Sequence, residues 1–204
     1  MSHILVEAAV ESLSAALAAA EGGAHRIELC VDLAHGGTTP PIDLIRQCVA
    51  QLTIPVFVLV RPRVGNYVYI HVSHREMLGQ IRAAKDAGAH GIVTGAASRL
   101  DELVAAARPL PVTFHRAFDV HGNLEEAIRL GFSRILTSGG APTAPEGSAQ
   151  IARLVQQARG RITILPGGGI GATNVAALVR ETGVSEVHFS VKDAAKVRAV
   201  LAQV

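Results

Sequence analysis

Gly131-Phe132-Ser133-Arg134-Ile135 closes a helix-like segment and, four residues on, opens an apolar β-branched one. The same spacing recurs from Gly23 to Ile27, from Gly88 to Ile92 and from Gly183 to Val187. Glycine suits the left-handed residue just past a helix end, so each instance reads as helix, C-cap, short loop, strand. Between them lie further strand candidates, Ile4 to Glu7, Pro55 to Arg61, Pro111 to His115 and Thr163 to Pro166. The order is strand then helix throughout. Continuous apolar strands belong to a parallel sheet covered by helices, and eight such units close into a (β/α)8 TIM barrel rather than an open doubly wound sheet. Gly-x-Gly-x-x-Gly, the mark of a dinucleotide fold, does not follow the first strand. At 204 residues the chain sits at the short end for this α/β fold, which implies one domain over 1–204 with short loops. Helix starts are predicted at Ser73-x-x-Glu76 and Asn123-x-x-Glu126, both shaped like capping boxes. Alanine-rich Ser14 to Ala20 and Val175 to Val179 suit helices packed closely on a sheet.

Hydrophobic residues make up 49% of the chain, enough for a full core. A formal charge of +2, with the 19 basic residues dispersed, names no nucleic-acid or membrane surface. Cys30 and Cys48 cannot form a disulfide framework. Met1 to Glu7 lacks the basic region and long apolar run of a signal peptide. The longest apolar run, Ile54 to Val60, stops at Arg61 and is too short to span a bilayer. A cytoplasmic protein is the expectation.

Val112-Thr113-Phe114-His115-Arg116-Ala117-Phe118-Asp119 begins as an alternating strand and ends among ionisable residues, as a strand does when it leaves a core and enters a site. Period-two geometry puts Thr113 and His115 on one face, with Val112, Phe114 and Arg116 on the other. In a barrel of this kind the site lies at the C-terminal strand ends. Alternation places Glu7, Glu28, Arg61, Thr94, His115, Thr137 and His188 on one inward set, late in their strands. That is too many polar groups for a plain core, and buried ones must form a network. For any one residue, a plain structural role such as a Glu28–Arg61 pair plugging the barrel is as good a reading.

Two loops after strands are glycine-rich, Thr137-Ser138-Gly139-Gly140 and Gly167-Gly168-Gly169-Ile170. Successive backbone N–H groups there make an anion site for phosphate or carboxylate, unless the glycines merely serve tight turns. Arg61-Pro62-Arg63 is a second anion clamp or a partner for Glu7 and Glu28. Val64-Gly65-Asn66-Tyr67-Val68-Tyr69 holds both tyrosines and is either a lid or a surface loop. As an enzyme, the chain would use Glu7 or Glu28 with His115 as acid and base. Arg61, Arg63, Thr94, Thr137, Ser138, Gly139, Gly167, Gly168, Gly169 and His188 would hold a small anionic metabolite. Isomerase, lyase and hydrolase chemistry stay open.

Six stretches also resemble, in order, the CutC family of copper homeostasis proteins. They are Arg26-Ile27-Glu28-Leu29-Cys30, Gly36-Gly37-Thr38-Thr39-Pro40, Arg61-Pro62-Arg63-x-Gly65, Ile92-Val93-Thr94-Gly95, Thr113 through Asp119, and Leu136-Thr137-Ser138-Gly139. His115-Arg116-Ala117-Phe118-Asp119 and Arg61-Pro62-Arg63 are the specific motifs. The resemblance implies a cytoplasmic TIM barrel, a homo-oligomer, and a role in copper binding or handling, with Cu(I) as the ion. It brings no catalytic reaction. Cu(I) prefers soft ligands, and the chain offers Cys30, Cys48, Met1 and Met77. Cys30, which matches a family position, would pair with His115 or His188 or with a second subunit, whereas Cys48 falls on the helix Ile42 to Ala50, away from the mouth. A lone cysteine is more often a small buried apolar residue. The chain departs from the family where Glu7 is followed by Ala8 rather than cysteine, in the short Gly95-Ala96-Ala97-Ser98 loop, and after His188-Phe189-Ser190, where relatives carry an insertion.

Overall fold

All four glycines that end a helix in the repeat take a positive φ, 96° at Gly23, 88° at Gly88, 89° at Gly131 and 69° at Gly183. Three residues after each of them a strand opens. A computed structural model describes residues 4–204, with strands β1 (Leu5–Val10), β2 (Arg26–Leu29), β3 (Val56–Val60), β4 (Gly91–Thr94), β5 (Val112–Phe114), β6 (Arg134–Thr137), β7 (Thr163–Pro166) and β8 (Glu186–Ser190). Between and after them run α1 (Leu13–Glu21), α2 (Ile42–Gln51), α3 (His71–Asp86), α4 (Leu100–Ala107), α5 (Phe118–His121), α6 (Leu124–Leu130), α7 (Ser148–Ala158), α8 (Val175–Thr182) and α9 (Ala194–Leu201). Asn123 caps α6 as its sequence suggests, its Oδ1 accepting the Glu126 N–H at 3.0 Å. Ser73 does not cap α3, which starts two residues earlier behind Ile70.

Every strand pair is parallel, in the order β7-β6-β5-β4-β3-β2-β1-β8. β1 pairs with β8, Glu7 facing His188 in the register, as a barrel requires. The remaining seam, β7 to β8, is joined by a parallel bridge between Gly167 and His188. Its sparseness has a covalent cause. Thr163 and Gly167 donate their N–H groups to β6-side carbonyls, those of Ser133 and Thr137. Alternation therefore turns residue 166 toward β8, and residue 166 is proline, with no N–H to give. The barrel is nearly closed. Among the described residues no helix is long and apolar enough to cross a membrane.

The even-numbered positions of β1, such as Val6 and Ala8, join Ile27, Val58, Ile92 and Ile135 in the core between sheet and helices. The barrel interior holds a much smaller apolar cluster of Cys30, Phe57, Leu59 and Val93. Ions take the rest of the space. Arg26, Arg134 and Glu186 are the first residues of their strands, so they meet at the N-terminal end of the axis. Arg26 donates to Glu7 and, at 2.6 Å, to Glu186, while Arg134 donates to Glu186 at 3.0 Å. Both guanidinium groups lie over the Phe57 ring, 5.0 and 5.3 Å from its centroid. A buried network of this kind offsets its desolvation only when nearly every member is paired. It forms a plug beneath whatever occupies the mouth.

Candidate functional site

Above the plug a cavity of about 300 Å³ opens at the C-terminal strand ends, lined by Glu28, Arg61, Tyr67, His115, His188 and the 167–170 loop. Glu7 lies below it and is fully committed. One of its oxygens accepts from Arg26, and the other meets Nδ1 of His188 at 2.7 Å. Burial works against ionising Glu7, yet the His188 hydrogen bond and the Arg26 charge bring its carboxyl down to about 2. Glu28, one layer higher, has no such support. Its Oε2 lies 3.8 Å from His188 Nδ1 and has no hydrogen-bond partner among the described residues. Burial pushes the Glu28 carboxyl up to about 7, the charge of His188 restraining it and that of Glu7 adding to it. Burial also opposes a charged His188, but the Glu7 hydrogen bond and the two carboxylates raise it above its ordinary value. Two carboxyls two residues apart across β1 and β2 thus hold protons at very different pH, the pattern that separates an acid from its ionised neighbour.

His115 follows the last residue of β5 and points into the cavity, as alternation implies. Its Nδ1 accepts the Ala117 N–H at 3.1 Å, and its buried Nε2 has no hydrogen-bond partner among the described residues. Burial, aided by the Arg61 charge, lowers the imidazole to about 3. The Tyr67 ring sits 5.1 Å from the His115 ring, and the Arg61 guanidinium 4.9 Å from the Tyr67 centroid. Tyr67 takes a φ of 62°, a costly conformation for an aromatic residue, and so closes one side of the mouth. Tyr69 lies instead beside Arg63, outside the cavity lining.

Arg61 does not pair with Glu28. The register sets Glu28 against Phe57, so Arg61 lies four residues, about 13 Å, farther up the barrel wall. Its Nη1 donates to the carbonyls of His35 and Gly37 at 3.1 and 2.7 Å, pinning the segment between β2 and α2. The arginine that neutralises glutamate is Arg26. Arg63 donates to the carbonyls of Val64 and Val68 and leaves the pocket. Thr94 and Thr137 have the opposite parity to the interior residues. Thr94 shares the helix-facing side with Ile92 and donates to the Val60 carbonyl at 3.1 Å. Thr137 donates to Asp119.

The two glycine loops differ in kind. In the first, the Ser138 and Gly140 amides donate to Asp119 at 3.2 and 3.3 Å, and the Gly139 amide to Thr137 Oγ1 at 2.8 Å. That anion site is filled by the protein's own carboxylate, so Ser138 and Gly139 are not open to a ligand. In the second, Gly167 donates to Thr137 and the Gly168 N–H faces the His188 carbonyl in the β7–β8 bridge, while the N–H groups of Gly169 and Ile170 meet no acceptor among the described residues. Asn174 braces the loop, donating to the Gly169 carbonyl at 2.8 Å and accepting the Gly171 N–H at 3.0 Å. Gly169 has a φ of 72°, and a Cβ there would lie 2.9 Å from Thr143 Cγ2, so both conformation and space demand glycine. Arg116, read from sequence to the far face, lies past the end of β5 and reaches the cavity rim. Its Nε and Nη2 hold Asp119 and Ser138 at 2.6 Å each, and Nη1 would lie 3.3 Å from a Cβ on Gly168. Sequence reasoning also missed Ser190 and Lys196 on the rim, where Lys196 donates to the Ser190 carbonyl at 2.8 Å.

The soft donors do not gather. Cys30 is buried inside the barrel, 3.6 Å from the Val10 carbonyl, and burial with the charges of Glu28 and Glu11 pushes its thiol far up. Cys48 belongs to the helix layer, where burial raises it to about 11, and Met77 is buried there too. Both cysteines are free, and Met1 lies outside the described residues. Glu7, Glu28 and His188 place ligand-type atoms within 4.8 Å of one another. With Glu7 spent internally, only two open donors remain, short of the three or four protein ligands typical of a zinc site. A larger groove of about 1190 Å³, lined by residues such as Leu124, Gln150 and Leu154, carries an exposed Arg161–Glu125 ion pair and no buried unpartnered group.

The profile of the CutC family matches residues 4–193. A human protein named copper homeostasis protein cutC homolog is 44% identical over 200 residues, covering 92% of this chain and 73% of its own. A CutC family protein of Vibrio campbellii is 45% identical over 198 residues, covering 90% and 78%. The crystal structure of the putative copper homeostasis protein CutC from Streptococcus agalactiae superposes with a TM-score of 0.85 at 34% identity, over 91% of this chain and 98% of that one. A phosphoribosylanthranilate isomerase from Thermotoga maritima shares the fold, with a TM-score of 0.66 at 13% identity over 98% of this chain and 97% of that one.

Proposed function

We propose, for a chain that belongs to the CutC family, that the barrel mouth is the active site of an enzyme acting on a small anionic metabolite. The observation that carries this reading is convergence. Glu28 Oε2 and His115 Nε2, both buried and without a hydrogen-bond partner among the described residues, line the same cavity of about 300 Å³ as the loop that carries the open Gly169 and Ile170 amides. Buried polar groups are rarely left unmatched unless a ligand or ordered water meets them. The Gly169 and Ile170 amides, with Arg116 beside the loop, anchor a phosphate or carboxylate. Glu28, near 7, exchanges a proton at working pH. His188, steadied by Glu7, sets the charge that Glu28 faces.

Copper homeostasis stands in the names of relatives, and copper binding by this chain has thinner support. The thiol at the family position, Cys30, is a single buried soft donor held protonated. Native mass spectrometry of the freshly purified protein separates the two readings. A retained small acid, lost in Gly169→Ala, is the expected result. Stoichiometric copper that disappears in Cys30→Ser would replace the enzyme reading with a binding one.

A further inference from the structure

We infer that His115 is a fixed neutral hydrogen-bond donor facing the Glu28 carboxylate across the cavity, and that the site's reaction is proton transfer at a carbon next to a carbonyl. This rests on the reading of the cavity as an anion-binding active site. The tautomer follows from the backbone. Ala117 N–H points at Nδ1 at 3.1 Å, so Nδ1 carries the lone pair and the ring proton sits on Nε2. An imidazolium would set Nδ1–H against the Ala117 N–H, donor against donor. Burial and the Arg61 charge oppose that second proton as well. The outcome is one N–H, buried, with no acceptor in the described protein, aimed where a ligand oxygen would lie.

Such a group cannot hand over its proton easily, because the product would be an imidazolate. It is suited instead to stabilise negative charge growing on an oxygen. Hydrolysis would ask for a proton to be delivered to a leaving group, which this tautomer does poorly. A Schiff-base route needs a free buried lysine, and the rim lysine, Lys196, is tied to the Ser190 carbonyl. A neutral imidazole donor opposite a carboxylate with a raised proton affinity is the pairing that enolisation uses. In the step, the Glu28 carboxylate takes a proton from the carbon beside the carbonyl. The C–H electron pair becomes the new C=C bond, and the carbonyl π pair moves to the oxygen, which accepts from His115 Nε2–H. The adjacent hydroxyl passes its proton to that oxygen, and Glu28-H returns the first proton to the former carbonyl carbon, which leaves the new carbonyl on the neighbouring carbon and completes an isomerisation. No oxidant or co-reactant enters. The substrate class is a small hydroxycarbonyl compound bearing a phosphate or carboxylate for the Gly169 and Ile170 amides.

Two measurements on the whole chain test this. Histidine ¹⁵N shifts should show His115 with an acceptor Nδ1 and a protonated Nε2 from about pH 5 to about pH 9; an imidazolium or an Nδ1–H tautomer in that range overturns the inference. Calorimetry then compares 2-phosphoglycolohydroxamate, a planar enediolate mimic, with glycerol 1-phosphate, which has no planar oxygen to receive Nε2–H. The mimic should bind on the order of a hundredfold more tightly. Glu28→Gln and His115→Leu should lose that preference while still binding glycerol phosphate, which also reports that they fold. His115→Gln, able to donate from its amide, should keep most of it, whereas a histidine acting as acid or base would lose all of it with glutamine. Equal affinity for both probes in the unaltered protein overturns enolisation and leaves the anion pocket standing. Failure to bind either overturns the pocket reading and this inference with it.

Discussion

Glu28→Gln should stabilise the protein above neutral pH. The Glu28 carboxyl sits at about 7 against an ordinary 4.5, and the residue is 4% exposed. Each factor of ten in proton affinity is worth about 1.4 kcal/mol, so holding this carboxylate ionised in the fold costs roughly 3 kcal/mol at most. The sign follows from the raised value. The stability that protonated Glu28 contributes is complete below 4.5, fades as the pH climbs, and is gone above about 7. Glutamine has the same shape and no charge to ionise. His188, also raised, loses its own contribution as pH rises and steepens the curve of both proteins in the same direction. Urea titrations at about pH 5 and about pH 8.5 should show the unaltered protein losing up to about 3 kcal/mol more than the variant between the two. In thermal terms each kcal/mol is worth about 2–4 °C for a chain of this size. A variant as pH-dependent as the parent, or less stable at the higher pH, would refute the assignment of Glu28 as the strained carboxylate. Gained stability with lost turnover is the expected trade at a functional site.

Arg26→Met leaves Glu7 and Glu186 buried without their shared cation and should cost about 3–5 kcal/mol in urea unfolding, with an unchanged midpoint as the contrary result. Arg61→Ala frees the His35 and Gly37 carbonyls and should cost about 2 kcal/mol, together with faster amide exchange at Thr39, whose N–H donates to the Arg61 carbonyl; a protected Thr39 would contradict it. Gly169→Ala forces a side chain into a φ of 72° and against Thr143, so phosphate affinity should fall at least about tenfold, whereas Gly171→Ala, with open space around it, should leave affinity unchanged. In a Cu(I) titration the single chain should show no tight stoichiometric site; tight binding abolished by Cys48→Ser as well as by Cys30→Ser would contradict the separation of the two thiols.

The barrel was legible because glycine at a helix end is a local requirement. Gly23, Gly88, Gly131 and Gly183 announce their conformation whatever surrounds them. Glu28, His115 and His188 were legible as inward residues because their strands alternate cleanly. Parity failed at Thr94, which closes a short strand whose remaining residues are apolar on both faces, and at Thr137, where the inward Arg134 three residues earlier was the marker and was passed over. The expected Glu28–Arg61 pair failed on height rather than on face, since the inter-strand register is set by the whole sheet and not by either strand alone. Arg26 was within reach of the same alternation, two residues before Glu28, but was read as a motif residue and not as a barrel one. The occupied state of the Gly139 loop could not be foreseen, because Asp119 arrives there from a different β/α unit.

Everything proposed for the mouth depends on the open amides after β7 holding an anion. A ¹H–¹⁵N titration of the labelled protein with inorganic phosphate tests it directly. Saturable shifts are expected at Gly169 and Ile170, with Gly139 and Gly140 still, their cradle being filled by Asp119. Shifts centred on Gly139 and Gly140, or none at Gly169 and Ile170, would contradict it.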